Sequence, residues 1–189
     1  MQQRGGIGST LLFILLLALA AWGATTPALL TAPTDTADHF QQGNVYTQSG
    51  EFDKAIAEYQ LVLQADPGHV SAQSNLGVAY YQMGDLEQAI TQYQQAIALA
   101  PGDADIHSNL AAALFQLGQF DKALDEYRRA VELAPQLAEA HFGLGVVQLQ
   151  LGNSAEAIQA FERFQELDSG IDPMATEQAA YYLQQLKGQ

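Results

Sequence analysis

Three of the four histidines fall at regular intervals: His107 follows His39 by 68 residues and precedes His141 by 34. Imidazole is the commonest nitrogen ligand for transition metals and the side chain best placed to carry a proton near neutral pH. Such a row would suit a metal centre or a proton relay, if the fold brought the rings together. Other chemistry is thinly represented. With no cysteine, the chain has no disulfide, thiol nucleophile, thiolate ligand or lipid-modified N-terminal cysteine. The glycines stand singly and form no phosphate-cradling loop, no His-Glu-x-x-His occurs, and no serine sits in a nucleophile elbow. Asp85, Glu87 and Asp121 stand beside expected turns, where carboxylates cap helices. If 34 residues is a structural period, equivalent histidines on stacked helices lie about 8–10 Å apart. Metal–nitrogen bonds are about 2 Å long. The row therefore reads as packing, and no catalytic residue, metal or cofactor is assigned.

The period is carried by more than histidine. Asn75-Leu76-Gly77, Gly84, Ala89, Tyr93 and Pro101 reappear 34 residues downstream as Asn109-Leu110-Ala111, Gly118, Ala123, Tyr127 and Pro135. Upstream, Gly43, Tyr46, Gly50, Ala55, Tyr59 and Pro67 fall in the same register. A 34-residue self-similarity with these residue types resembles the tetratricopeptide repeat (TPR) family. That resemblance implies an all-α fold, a right-handed superhelical solenoid of antiparallel helix hairpins. Four repeats are expected over 36–69, 70–103, 104–137 and 138–171, with a capping helix over 172–189. In the first repeat the helices are expected over about Ala37–Gln48 and Phe52–Gln64. Asp66-Pro67 ends the second of these, because the residue before proline avoids the α region.

Counting each repeat from its first residue, position 8 is small (Gly43, Gly77, Ala111, Gly145), as is position 20 (Ala55, Ala89, Ala123, Ala157). Small residues let the two helices of a hairpin approach, and a leucine at Gly77 is expected to cost about 1–3 kcal/mol by overpacking. Position 24 is a ring (Tyr59, Tyr93, Tyr127, Phe161), expected to fill space between adjacent hairpins. In the family, position 4, where the histidines lie, holds a large packing residue. Repeat four departs from the pattern at Ser154, Phe164 and Ser169. Asp172 and Pro173 then open a last helix, by side-chain capping and by a proline suited to the first turn. Ala179 and Tyr182 in it match Gly77 and Tyr80, so it reads as half of an unfinished repeat covering the open end, with Gln178, Gln184, Gln185 and Lys187 turned to solvent.

The first 34 residues carry one charge, Arg4, whereas the whole chain has 7 basic and 21 acidic residues. That surplus of acid argues against nucleic acid and anionic lipid as partners. Leu11 to Ala21 is an almost unbroken apolar run, expected to direct export. Residues 1–24 are either a cleaved signal peptide, with Ala21-Trp22-Gly23 as cleavage site, or a membrane anchor. From Ile7 to Ala24 is 18 residues, about 27 Å of helix against a hydrocarbon core of about 30 Å. Either reading leaves Arg4 cytoplasmic and the repeats on the periplasmic, lumenal or extracellular side. Residues 25–35, with Pro27 and Pro33, read as an extended linker.

The family resemblance also implies a concave groove lined by first-helix positions. Here these are Phe40 and Asn44, then Ser74, Asn75, Val78, Tyr81 and Gln82, then Ser108, Asn109, Ala112, Phe115 and Gln116, and finally Phe142, Val146 and Leu149. Amides that both donate and accept, beside rings, suit an extended peptide. Chaperone-binding members carry a basic clamp for a carboxylate-ended tail; Asn44 and Asn75 match its asparagines, but Phe40, Asp105 and Asn109 stand at its basic positions. Asn75 and Asn109 also resemble the first rungs of the asparagine ladder in the repeat arm of O-GlcNAc transferase, interrupted here at Gly143. The expected function is a non-enzymatic scaffold for a protein or peptide partner. The alternative is a subunit or homo-oligomer that uses its convex face or its last helix, through Tyr181 and Tyr182.

Overall fold

The computed structural model describes residues 35–168 and 172–188. These form nine helices and no strand: α1 (Thr36–Gln48), α2 (Phe52–Ala65), α3 (Val70–Met83), α4 (Leu86–Leu99), α5 (Ala104–Gln116), α6 (Phe120–Leu133), α7 (Ala138–Gln150), α8 (Ser154–Leu167) and α9 (Pro173–Lys187). Each helix packs on the next in sequence, and α1, α3, α5 and α7 also touch in succession. The result is an all-α solenoid of hairpins with the odd-numbered helices side by side on one face. The signal or anchor helix expected over residues 1–24 and, except for Asp35, the linker expected over 25–35 lie outside the described residues. Among the described residues, no helix is long and apolar enough to cross a membrane.

Turn chemistry sets the helix ends. Asp85, as expected, caps α4 by accepting from the Gln88 N–H, and Asp103 caps α5 through the N–H groups of Asp105 and Ile106. His69 does the same for α3, its Nδ1 accepting from Ala72 N–H at 3.2 Å. Two glycines show two separate needs. Gly84 closes α3 at φ 81°, a left-handed backbone that side chains disfavour, and an added Cβ there would touch nothing. Gly77 lies inside α3, and a Cβ there would stand 2.7 Å from Cε1 of Tyr93. It is there for space, and even alanine would overlap the ring.

That contact adds to one expectation. The rings at position 24 were expected between hairpins: Tyr59 packs with Ala72, Leu76 and Ala79 of the second hairpin and Phe161 stacks on Tyr182 of α9, while Tyr59, Tyr93 and Phe161 also lie against Gly43, Gly77 and Gly145 of their own hairpins. Tyr127 has a different glycine partner. Its hairpin has Ala111 at position 8, and its ring covers Gly143 of the next hairpin, where a Cβ would stand 2.2 Å from Cζ. Both arrangements keep the rings buried.

At the C-terminal end Phe161 and Phe164 share a core with Ala179 and Leu183 of α9. Asp172 caps α9 through Met174 and Ala175, Tyr182 stacks on Phe161 at 5.2 Å, and Lys187 pairs with Glu162 at 2.6 Å. The terminal helix thus covers the apolar end as expected. Its outer face is less polar than the glutamines implied, since Met174 and Tyr181 are 82% and 58% exposed.

Candidate functional site

The odd-numbered helices bring all fifteen predicted groove residues to one face, each half-buried except Gln82 and Gln116, which are exposed. The structure divides them by what they already touch. Asn44 Oδ1 accepts from the Tyr59 hydroxyl at 2.8 Å and from Asn75 Nδ2 at 2.9 Å. Thr47 bonds the same hydroxyl at 3.0 Å. Burial raises the Tyr59 pKa, and the bonds from Thr47 and Asn75 oppose that rise. Two amides from different hairpins are therefore held in fixed orientation, anchored on a phenol. Asn109, the next asparagine along, makes no side-chain hydrogen bond among the described residues and keeps its full donor and acceptor capacity. Gln116 donates to the hydroxyl of Tyr81, a bond between the second and third hairpins. Burial raises the Tyr81 pKa too, against the effect of that bond.

The phenylalanines contribute to both groove and core. Phe40 lies 4.9 Å from the His69 ring, Phe115 lies 5.3 Å from Phe120, and Phe142 lies 5.9 Å and 5.2 Å from Phe161 and Phe164. Val78, Tyr81 and Ala112 pack on the central core, Val146 and Leu149 on the C-terminal one. The face thus runs from an amide-rich end at α1 and α3 to a hydrocarbon end at α7. Gly143 breaks the row of asparagines for a reason not visible from spacing: the Tyr127 ring occupies the space that an asparagine side chain would need.

The histidine row does something the sequence reading missed. His39 Nδ1 contacts Glu58 Oε2 at 2.7 Å, and His107 Nδ1 contacts Glu126 Oε2 at 2.6 Å. His107 Nε2 also donates to the Pro101 carbonyl at 3.3 Å. In the second hairpin, Gln73 takes the histidine's place and donates to Gln92 and Gln95 at 2.6 and 2.9 Å. Each residue at position 4 thus ties its helix to the residue nineteen places on, and the pairs 39/58, 73/92 and 107/126 were legible as matched polar types. His141 is the exception. Ala160 stands where the glutamate would be, and its Nε2 donates to the Pro135 carbonyl at 3.1 Å. Burial lowers its pKa and the nearby Arg163 lowers it further, while the Pro135 bond opposes both. Among the described residues, no three His, Cys, Asp or Glu side chains stand close enough together to hold a metal ion.

Two hollows lie beside these features. A cavity of about 350 Å³ opens on the even-numbered side between α4 and α6, floored by Leu110 and Leu114 and rimmed by Glu87, Lys122 and Asp125. A smaller one, about 180 Å³, lies where α7, α8 and α9 meet, beside Glu139 and the groove residue Phe142.

Comparison with known proteins agrees with this architecture. The family model for the TPR repeat matches residues 43–84, 79–118 and 112–152, and that for the tetratricopeptide repeat matches 138–171. Comparison with curated protein sequences finds no match. Among solved structures, the MamA protein is 28% identical over 80% of this chain and 89% of its own, with a TM-score of 0.67. YrrB, described as a TPR protein with an unusual peptide-binding site, is 25% identical over 82% of this chain and 77% of its own, with a TM-score of 0.66. The first TPR of Spaghetti (RPAP3), bound to the HSP90 peptide SRMEEVD, is 28% identical over 62% of this chain and 93% of its own, at a TM-score of 0.60. With the hairpins, their glycine-ring contacts and the matched span in agreement, the chain belongs to the tetratricopeptide repeat family.

Proposed function

We propose that this protein is a non-enzymatic scaffold that holds an extended segment of a partner protein along the face of α1, α3, α5 and α7. The observation that carries this reading is the combination on one face of a fixed amide pair, Asn44–Asn75, with the unbonded Asn109 and half-exposed rings. An extended backbone needs alternating donors and acceptors, and carboxamides supply both. Two structural neighbours are described as binding peptides, which supports a protein partner. The apolar run Leu11 to Ala21 supports export, with residues 1–24 as anchor or signal and the repeats beyond the cytoplasmic membrane.

The test is cross-linked capture in the native host, comparing the full chain with its Asn109→Ala/Gln82→Ala variant. Neither side chain is hydrogen-bonded or buried in the core, so stability should change by less than about 0.5 kcal/mol, while partner recovery should fall several-fold. Unchanged recovery would sink the groove reading. N-terminal sequencing of the protein from membrane and soluble fractions separates anchor from cleaved signal. A second reading, self-association through α9, is favoured by exposed Met174 and Tyr181; Tyr182 is committed to Phe161. Light scattering on the detergent-solubilised full chain and its Tyr181→Ser variant tests it.

A further inference from the structure

The charges of the described residues are sorted by face. Helices α1, α3, α5 and α7 contain no lysine or arginine, and their charged groups are Asp38, Asp105 and Glu139, apart from any protonated histidine. The basic side chains Lys54, Lys122, Arg128, Arg129 and Arg163 all lie on even-numbered helices, with Lys187 at the end of α9. Four of them are already paired with acids: Lys54 with Glu51, Arg129 with Glu132, Arg163 with Glu166 and Lys187 with Glu162. The groove is thus an uncompensated acidic surface. Asp105 reports the crowding, since burial and then the neighbouring Asp103 and Glu139 charges raise its pKa.

The acid gathers beside an apolar opening. The cavity of about 180 Å³ at the junction of α7, α8 and α9 is lined by Ala138, Phe142, Phe164 and Ala175 together with the buried Asp168 and the exposed Glu139 and Asp172. A cavity of about 150 Å³ holds a benzene ring, so this one admits a leucine or phenylalanine side chain. A carboxylate at the mouth would meet the residue next to that anchor.

Resting on the groove reading above, we propose that the occupant is an extended protein segment carrying a large apolar residue beside lysine or arginine. The apolar side chain enters the α7–α9 cavity and the cation lies between Glu139 and Asp172. The two elements act separately: the cavity supplies affinity, and the acids select sign. Electrostatic selection of this kind also speeds association and weakens with salt.

Binding is measured by fluorescence anisotropy with the full-length protein and three labelled peptides. One is an extended Gln/Ser/Thr host carrying Phe-Lys-Arg, another has the phenylalanine replaced by serine, and the last is the acidic peptide SRMEEVD. The first should bind most tightly, and exposed pairs of this kind are expected to favour it over SRMEEVD by roughly tenfold or more, less so at high salt. Glu139→Lys, at an exposed site, should erase that preference. Ala175→Phe, which fills the cavity, should bring the first peptide down to the affinity of the serine peptide. Equal binding of basic and acidic peptides, or indifference to both variants, overturns the proposal. The groove reading survives that result if Asn109→Ala/Gln82→Ala still weakens partner capture, and fails with it if that variant also has no effect.

Discussion

The two ends of the groove are built on one frame with opposite chemistry. In the first hairpin a ring at position 24, Tyr59, lies on Gly43 and faces Asn44 and Thr47 at positions 9 and 12. In the fourth, Phe161 lies on Gly145 in the same way, and positions 9 and 12 are Val146 and Leu149. The ring–glycine contact is therefore indifferent to what lies at the ring's far edge. At the first hairpin the ring is a tyrosine that orients the amide and hydroxyl facing it. At the fourth, beside Val146 and Leu149, the ring carries no hydroxyl. One end can thus present directional hydrogen bonds and the other an apolar wall, without any change in helix spacing.

The sharpest way to break that contrast is to write the polar chemistry into the apolar end. Gly143→Asn would extend the row of Asn75 and Asn109 by one rung. Its Cβ would stand 2.2 Å from Cζ of Tyr127, a ring that is itself buried. Removing a glycine from mid-helix recovers at most about 1 kcal/mol, whereas overpacking costs about 1–3 kcal/mol and sometimes more. The variant should melt several degrees below wild type at about 2–4 °C per kcal/mol. Adding Tyr127→Leu should recover part of the loss by clearing the site, although it gives up the ring's own packing. A Gly143→Asn protein as stable as wild type would mean that Tyr127 moves freely, and that the break in the asparagine row has another cause.

A smaller perturbation exchanges the hydroxyls. Phe161→Tyr puts a phenol among Val146 and Leu149 with no acceptor on either, and an unsatisfied buried hydroxyl costs about 1–3 kcal/mol. Tyr59→Phe removes the bonds to Asn44 and Thr47 but leaves Asn44 accepting from Asn75 and Thr47 donating to the Gly43 carbonyl, so no polar group is orphaned and its cost should be about 1 kcal/mol. The ordering is the prediction, read from denaturant midpoints. Adding Val146→Asn to Phe161→Tyr recreates the Asn44–Tyr59 pair and should restore part of the loss. A neutral Phe161→Tyr would show that the para position of that ring reaches solvent and that the two ends do not differ as described.

The same comparison explains how far the sequence could be read. The glycines, alanines and rings at positions 8, 20 and 24 are constrained by contacts inside one repeat, so they recur at a fixed interval and disclose the solenoid. The half-buried first-helix face followed from that register. Two features escaped because they depend on a departure from the repeat rather than on the repeat itself. Tyr127 covers Gly143, which stands where the two preceding repeats have Asn75 and Asn109. The α7–α9 cavity exists because α9 is half a hairpin. The position-4 bonds were missed because histidine and glutamine differ in type while sharing one job, and only the pairing with position 23 shows it. The acidic bias of the groove needed the helix assignment first, since 7 basic residues among 189 disclose nothing about which face they occupy.

Acid should separate the two ends most finely. His107 faces acceptors on both ring nitrogens, Glu126 on Nδ1 and the Pro101 carbonyl on Nε2. His141 has the Pro135 carbonyl on Nε2, Arg163 nearby and Ala160 in place of a carboxylate, and its pKa lies below the ordinary value. A histidine with a lowered folded pKa binds fewer protons folded than unfolded. Its contribution is therefore intact above the unfolded value of about 6.5, and is lost as pH falls through the folded value. On going from pH 7 to pH 5, backbone amides of α7 and α8 should lose hydrogen-exchange protection before those of α1 and α2, where Glu58 faces His39. Ala160→Glu would give His141 the carboxylate that His107 has. It reverses the sign of the local field, so it should remove the acid-induced loss in α7 and α8 while leaving α1 and α2 unaltered. An unchanged acid response in that variant would place the sensitivity elsewhere at the C-terminal end, with the exposed carboxylates around Glu139 and Asp172 as the next groups to replace.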